Sequence, residues 1–466
     1  MKNRFIGLAA VYMLIPAVLL AQPAGKKQLV GVWEVKEAPV EQSQSPLLSL
    51  AMFCGDGSFT TGVGYKALPA ISALQDVASD PKKHKNPDHR PTELGPGYGR
   101  WAATGDREFR LTFYAVMRKG GEGAGFQRVQ DTLVLSESGD EYTGHAQVDF
   151  LDADWNVVFS TASEEKGTRL ETPVSSMPVG EPTGKKPLVG VWEVKVSPIG
   201  QSQSPLLSLA MYAGDGSFNA TVGYKALPST PAVQDLATEI GLGYGQWAAT
   251  SEREFRLTYY CVLWKAGLVN GFQRVQDTLV LAESGDEYTG RAQVDFLDAN
   301  WNVVFSTTSD VKGTRLETPI PATLAAQPAE RKGVWEDKIP RGAGVSEPPR
   351  LGLILSREDG TWSEDKGTPP APPATAKGVA SEQYSPGYGR LVKTGDREYR
   401  LVFYYVLLKA GLVNGFDRVQ SNEVSPESGD EFTGQANWAT FDANWNVLIN
   451  GTGGATGTRL ETPGQD

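Results

Sequence analysis

The chain of 466 residues carries one unit three times, and that repetition limits the fold before any other feature does. GVWEVK begins at Gly31 and again at Gly190, and GVWEDK begins at Gly333. WAATGDREFRLTF (Trp101 to Phe113) returns as WAATSEREFRLTY (Trp247 to Tyr259) and as LVKTGDREYRLVF (Leu391 to Phe403). GTRLETP ends each copy, so Arg169, Arg315 and Arg459 recur 146 and 144 residues apart. Trp33 and Trp192 lie 159 apart, because the first copy carries 13 extra residues around SDPKKHKNPDHRP. A solenoid unit runs about 20 to 50 residues, whereas this period suits one globular domain per copy. Three independent domains are expected, over residues 25–173, 184–319 and 331–463. The segments between them, 174–183 and 320–330, are rich in Pro, Ala and small polar residues and read as linkers.

Within a unit the dominant period is two, the mark of strands. In the first copy Phe109, Leu111, Phe113, Ala115 and Met117 interleave with Arg110, Thr112, Tyr114 and Val116. Leu48, Leu50 and Met52 alternate with Ser49 and Ala51, and Phe59, Thr61, Val63 and Tyr65 follow the turn at Gly55 to Gly57. TGDRE, SGDE and DADWN separate the runs with the Asp, Asn and Gly that hairpins favour. The count is about eight strands per unit with no long amphipathic helix. Eight sequential antiparallel strands close into an up-and-down barrel, which removes exposed edges. The fold expected is all-β: three tandem barrels behind an export signal. In GFQRVQDTLVL (Gly125 to Leu135), Asp131 falls on the otherwise apolar face, which implies a twist there or a place at the barrel mouth.

A Gly-x-Trp on the first strand and an arginine on the last resemble the lipocalin group of the calycins. The resemblance implies that the arginine packs across the indole and closes one end of the barrel. It pairs Trp33 with Arg169, Trp192 with Arg315 and Trp335 with Arg459. The unit is also similar to small uncharacterised bacterial domains of that general shape.

Lys2 and Arg4 precede an apolar run from Phe5 to Ala21, as in a secretory signal cleaved near Ala21. An uncleaved anchor is the alternative. Secretion or a periplasmic location follows, with no later segment apolar enough to span a membrane. Loss of residues 1–21 removes two positive charges and takes the net charge from -11 to -13. So acidic a surface argues against nucleic acid as a partner. Cys54 and Cys261 occupy non-equivalent places in different copies, so no disulfide is expected between them.

No catalytic, cofactor or metal residues emerge. His84 and His89 sit in the first-copy insert, and His145 is replaced by Arg291 and Gln435 in the other copies. Asp152-x-Asp154-x-Asn156 lacks the glycine and the glutamate of a calcium loop and reads as a hairpin turn. Asp106 and Glu108 read as a charged hairpin tip beside Arg107 and Arg110. The candidate ligand-binding set is the inward apolar one: Trp33, Leu50, Phe59, Val63, Phe109, Leu111, Phe113, Met117 and Val148. Three function classes stay open: a carrier of a small hydrophobic ligand, an interaction protein using the outer barrel faces, and a cyclase- or isomerase-like enzyme. A void of roughly 300 Å³ per barrel would favour the first.

Overall fold

The computed structural model describes residues 29–39, 47–62, 93–119, 122–170, 188–198, 205–222, 227–228, 230–266, 268–316, 331–339, 350–366, 383–409 and 412–460. The N-terminal apolar run, both linkers and the insert holding His84 and His89 lie outside them.

Every copy closes into an antiparallel barrel of eight strands. In barrel 1, β1 (Gly31–Pro39), β2 (Leu47–Phe53), β3 (Ser58–Gly62), β4 (Glu93–Ala103), β5 (Glu108–Lys119), β6 (Glu122–Leu135), β7 (Glu141–Leu151) and β8 (Val157–Arg169) follow chain order, and β8 returns to β1. Barrel 2 repeats this from β9 (Gly190–Pro198) to β16 (Val303–Arg315). A short helix, α1 (Pro231–Leu236), precedes β12 (Glu239–Ala249) and buries Val233 and Leu236. Barrel 3 runs from β17 (Gly333–Ile339) to β25 (Val447–Leu460) and closes through β22 (Glu398–Lys409) and β23 (Leu412–Val424). Its extra strand, β20 (Gln383–Tyr384), pairs against β22 alone.

Closure brings the first and last strands into register, with Trp33 opposite Arg169, Trp192 opposite Arg315 and Trp335 opposite Arg459. The guanidinium carbons lie 4.3, 4.2 and 4.9 Å from the indole centroids. Arg169 also donates to the Val30 carbonyl at 2.6 Å and, from Nη2, to the Gly139 carbonyl at 2.9 Å. One side chain thus ties the start of β1 to the turn before β7. The glycine of Gly-x-Trp leaves room for it. Gly31 has φ +145°, and a Cβ there would fall 2.8 Å from Arg169 Nη1. Gly190 repeats this with φ +140° and 2.9 Å to Arg315 Nη1.

The barrels do not stand apart, because their outward apolar faces pack on one another in a cycle. Val32, Leu50, Met52 and Leu170 of barrel 1 meet Tyr244, Tyr260, Val262 and Phe272 of barrel 2. Val191, Leu209, Met211 and Leu316 of barrel 2 meet Tyr388, Val402, Tyr404 and Phe416 of barrel 3. Val334, Leu353 and Leu355 of barrel 3 meet Tyr98, Tyr114, Val116 and Phe126 of barrel 1. Each barrel offers its first two strands to the next and receives the previous one on its fourth to sixth. Head-to-tail contacts of this kind form a ring when the rotation closes. Here it closes at three.

The DADWN turn serves these seams. Its tryptophan takes positive φ in each copy, 65° at Trp155, 67° at Trp301 and 64° at Trp445. The Trp301 indole N–H donates across the first seam to Glu34, and that of Trp445 across the second to Glu193.

The GDG-type turns meet where the seams converge. Gly55 N–H donates to Asp215 at 2.9 Å, Gly214 N–H to Asp359, and Glu358 N–H to Asp56 at 3.2 Å. Arg357, which stands where the other copies have Cys54 and Ala213, is buried among them. Burial opposes its charge, but Cys54 and the carboxylates of Asp56, Asp215 and Asp359 together hold its pKa above the ordinary arginine value.

Two outcomes follow. A chain nicked between barrels 1 and 2 should elute on size exclusion as one particle of unchanged size, because the seams and not the linkers hold it together. Separation of the fragments would contradict the seam packing. Second, Arg357→Leu should cost about 3 to 5 kcal/mol in urea denaturation, the usual penalty for stripping a buried charge of its partner. Burial, then Asp56 and Asp359, raise the Asp215 pKa, so its contribution is fully present at low pH and lost as pH rises through the folded value. The variant should therefore lose more stability at pH 8 than at pH 5, and equal losses would exclude the charge argument.

Candidate functional site

The candidate residues divide by strand face. Trp33, Phe59, Phe109, Leu111, Phe113, Met117 and Val148 belong to the interior cluster of barrel 1. Leu50 does not: Ala51 and Phe53 take the inward places on β2, and Leu50 points out into the seam with barrel 2. Val63 lies outside the described residues. Asp131 neither marks a twist nor reaches a mouth. It keeps register opposite Leu111 and is buried on the inner face.

Asp131 and its counterparts make the three interiors chemically different. In barrel 1, burial and then the charge of Asp131 push Glu165 well above the usual carboxylate range, and burial raises Asp131 as well. Glu37 is pushed up to about 7 by burial and then by Asp131. Like charges in one buried group oppose each other's ionisation, so each carboxyl is held toward its neutral form. In barrel 3, Ser421 replaces the aspartate, and a buried pair fills the floor instead. Arg331 Nη1 lies 2.5 Å from Glu423, and the Arg331 guanidinium sits 3.9 Å from the Phe432 ring centroid. The other copies have Leu29 and Leu188 at the Arg331 position and Leu133 and Leu279 at the Glu423 position.

Barrel 2 keeps the aspartate alone and has space beside it. Val196 and Val311 stand where barrel 1 has Glu37 and Glu165. A cavity of about 70 Å³ is lined by Tyr212, Tyr259, Tyr288, Gln273, Asp277, Val194, Val275, Ala292 and Val311, with Pro198, Leu206 and Pro228 farther along. The Tyr212 hydroxyl donates to that of Tyr288 at 3.1 Å. Burial alone pushes the Asp277 carboxyl up to about 7, and its Oδ1 has no hydrogen-bond partner among the described residues. Trp192 and Arg315 seal one end. The site is a largely apolar chamber inside the barrel, with one acid and three phenols on its wall beside Gln273, Ser208, Thr307 and Ser309.

Elsewhere the chemistry is sparse. Among the described residues no cluster of three His, Cys, Asp or Glu could hold a metal. Cys54 and Cys261 are buried, unbridged thiols. His145 pairs with Glu164 at 3.0 Å on the surface. Among the described residues no helix is long and apolar enough to cross a membrane.

The fold and site together define a fused ring of three eight-stranded barrels, one of them with an interior chamber. No family model matches the chain, and no curated protein does. Among solved structures it is similar to a protein of unknown function from the DUF3598 family of Nostoc punctiforme. That match has 10% identity and a TM-score of 0.12, covering 94% of this chain and 99% of the other. A bacterial polysaccharide outer membrane secretin gives 5% identity and a TM-score of 0.20, covering 93% and 99%. Likenesses this loose carry no argument about function.

Asp277 yields a signed pH prediction. Its folded pKa lies above the unfolded value near 3.9, so ionisation weighs on the folded state as pH rises toward 7. Asp277→Asn should leave stability at pH 4 nearly unchanged and raise it at pH 8, with a ceiling of about 4 kcal/mol. Urea denaturation at the two pH values measures this, and a gain at pH 4 as large as at pH 8 would contradict it.

Proposed function

We propose that the protein is an exported, non-enzymatic binder of a small, mainly apolar molecule held in barrel 2, in the manner of a lipocalin-like carrier. The observation that carries this reading is the chamber beside Asp277. A largely apolar wall with one unpartnered carboxyl oxygen, Asp277 Oδ1, favours an apolar ligand that brings a single hydrogen-bond donor, such as an alcohol or an amine. At about 70 Å³ the chamber falls short of the void of roughly 300 Å³ per barrel that would favour a carrier of drug-sized ligands, so the reading is confined to a smaller one. At about 10 to 15 Å³ per water in the same measure, it has room for roughly five to seven waters. The ligand is correspondingly compact.

The interaction reading keeps less surface, since the seams occupy the outer apolar faces of the first two and the fourth to sixth strands and leave exposed apolar residues such as Val157, Val303 and Val447 on the last. The enzyme reading draws on one observation, the buried carboxyls of barrel 1 with raised pKa values.

Native mass spectrometry of the protein purified without denaturant tests the carrier reading. A small-molecule adduct is expected on the wild type and should vanish in Ala292→Phe, which fills the chamber from β15 (Glu287–Asp298) while circular dichroism stays unchanged. No adduct on the wild type, or one that survives the substitution, would refute it.

A further inference from the structure

The third barrel lacks a buried carboxylate that the other two carry, yet it keeps the arginine that pairs with it. In barrel 1, Asp149 is buried on the outer wall. It accepts from Arg128 Nε and Nη2 at 3.1 and 2.7 Å, from Gln147 at 3.1 Å and from Ser160 at 2.6 Å. In barrel 2, Asp295 accepts from Arg274 at 3.2 and 2.7 Å, from Gln293 at 3.0 Å and from Ser306 at 2.7 Å. Burial works against both charges, yet these donors outweigh it and keep both carboxyls below their ordinary pKa. In barrel 3 the register puts Ala439 in that place, between Arg418 and Asn450, with Asn437 two residues before it. Arg418 has a ring contact instead, 5.2 Å from the centroid of Phe441, which stands where the other copies have Leu151 and Leu297, and has no carboxylate partner among the described residues.

Arg418 itself borders open space. A groove of about 370 Å³ at the seam of barrels 2 and 3 is lined by Glu193, Lys195, Arg315, Tyr404, Arg418 and Trp445. Glu193 is already engaged, by Lys195 at 3.0 Å and by the Trp445 indole N–H. Arg315 spends its donors on the Val189 and Gly285 carbonyls. Among the described residues that line the groove, Arg418 is the cation with no carboxylate partner.

We propose that Arg418 binds the carboxylate of a small organic acid whose body lies in this groove against Tyr404 and Trp445. A carboxylate supplied from outside restores the arrangement that Asp149 and Asp295 supply from within. The fork of a guanidinium pairs with it through charge-assisted hydrogen bonds. The groove volume falls in the range of small-molecule sites, and the site is independent of the barrel 2 chamber.

Isothermal titration of the full chain with benzoate tests this, with benzamide as the uncharged control. An N-acetylated tripeptide with a free C-terminus separates a chain-end carboxylate from a free acid. Benzoate or the peptide should bind, and benzamide should bind at least about tenfold more weakly. Ala439→Asp places the internal carboxylate back among its donors. It should keep or raise the melting temperature and lower the affinity at least about tenfold, as should Arg418→Gln. Equal binding of benzoate and benzamide, or affinity unchanged in Ala439→Asp, would overturn the proposal. So would the absence of any heat from both carboxylates at millimolar concentration.

Discussion

Everything in this molecule depends on a geometric demand placed on each barrel wall. Apolar side chains point out of the first two strands, as Val32, Leu50 and Met52 do, and a second apolar set points out of the fourth to sixth, as Tyr98, Tyr114 and Phe126 do. A lone barrel can satisfy neither set, since its own interior is already filled from the other side of the sheet. The two sets are complementary to each other and not to themselves, so copies join head to tail, and closure of the ring removes the last open face. The tyrosines of the GYG runs, the turn tryptophans and the glycine-rich turns are in place because the ring needs them.

Much of this architecture was legible in the chain. The period of two gave the strands, the Gly, Asp and Asn clusters gave the turns, and eight sequential strands with short hairpins implied closure. Alternation shows that a strand has two different faces, but it does not say which one is inside. On β2 the inward residues include the small Ala51, whereas the outward Leu50 and Met52 are large, because a sister barrel covers them. Size and hydropathy therefore point the wrong way for Leu50. Asp131 misleads for a related reason: burial raises its pKa and so lessens the cost of keeping it in a core, and sequence does not reveal its neighbours. The DADWN motif was readable as a turn, but the reach of its tryptophan across a seam depends on which barrels touch. The one available signal was that the tryptophan persists in DADWN and DANWN at a position where a turn needs no indole.

The copies have diverged along lines that the fold makes understandable. Seam residues are held to shape by a partner barrel and change little between copies. Interior residues answer only to their own barrel, so Leu29 and Leu133 could become Arg331 and Glu423 together, a buried ion pair replacing two leucines. Such exchanges are tolerated when both members change, because each charge then has its counterpart. The result is one scaffold with three unlike interiors.

Arg357 illustrates what covalent linkage makes available at a point of convergence. Three identical chains arranged around an axis must place the same side chain there three times. Three guanidiniums would repel one another, and three cysteines would leave Asp56, Asp215 and Asp359 facing each other without a cation. A single polypeptide escapes that arithmetic, since its three passages through the centre need not match. It can set one positive charge against three negative ones, a stoichiometry closed to any symmetric homotrimer. The tandem chain is thus free to tune its hub by single substitutions, each felt once rather than threefold.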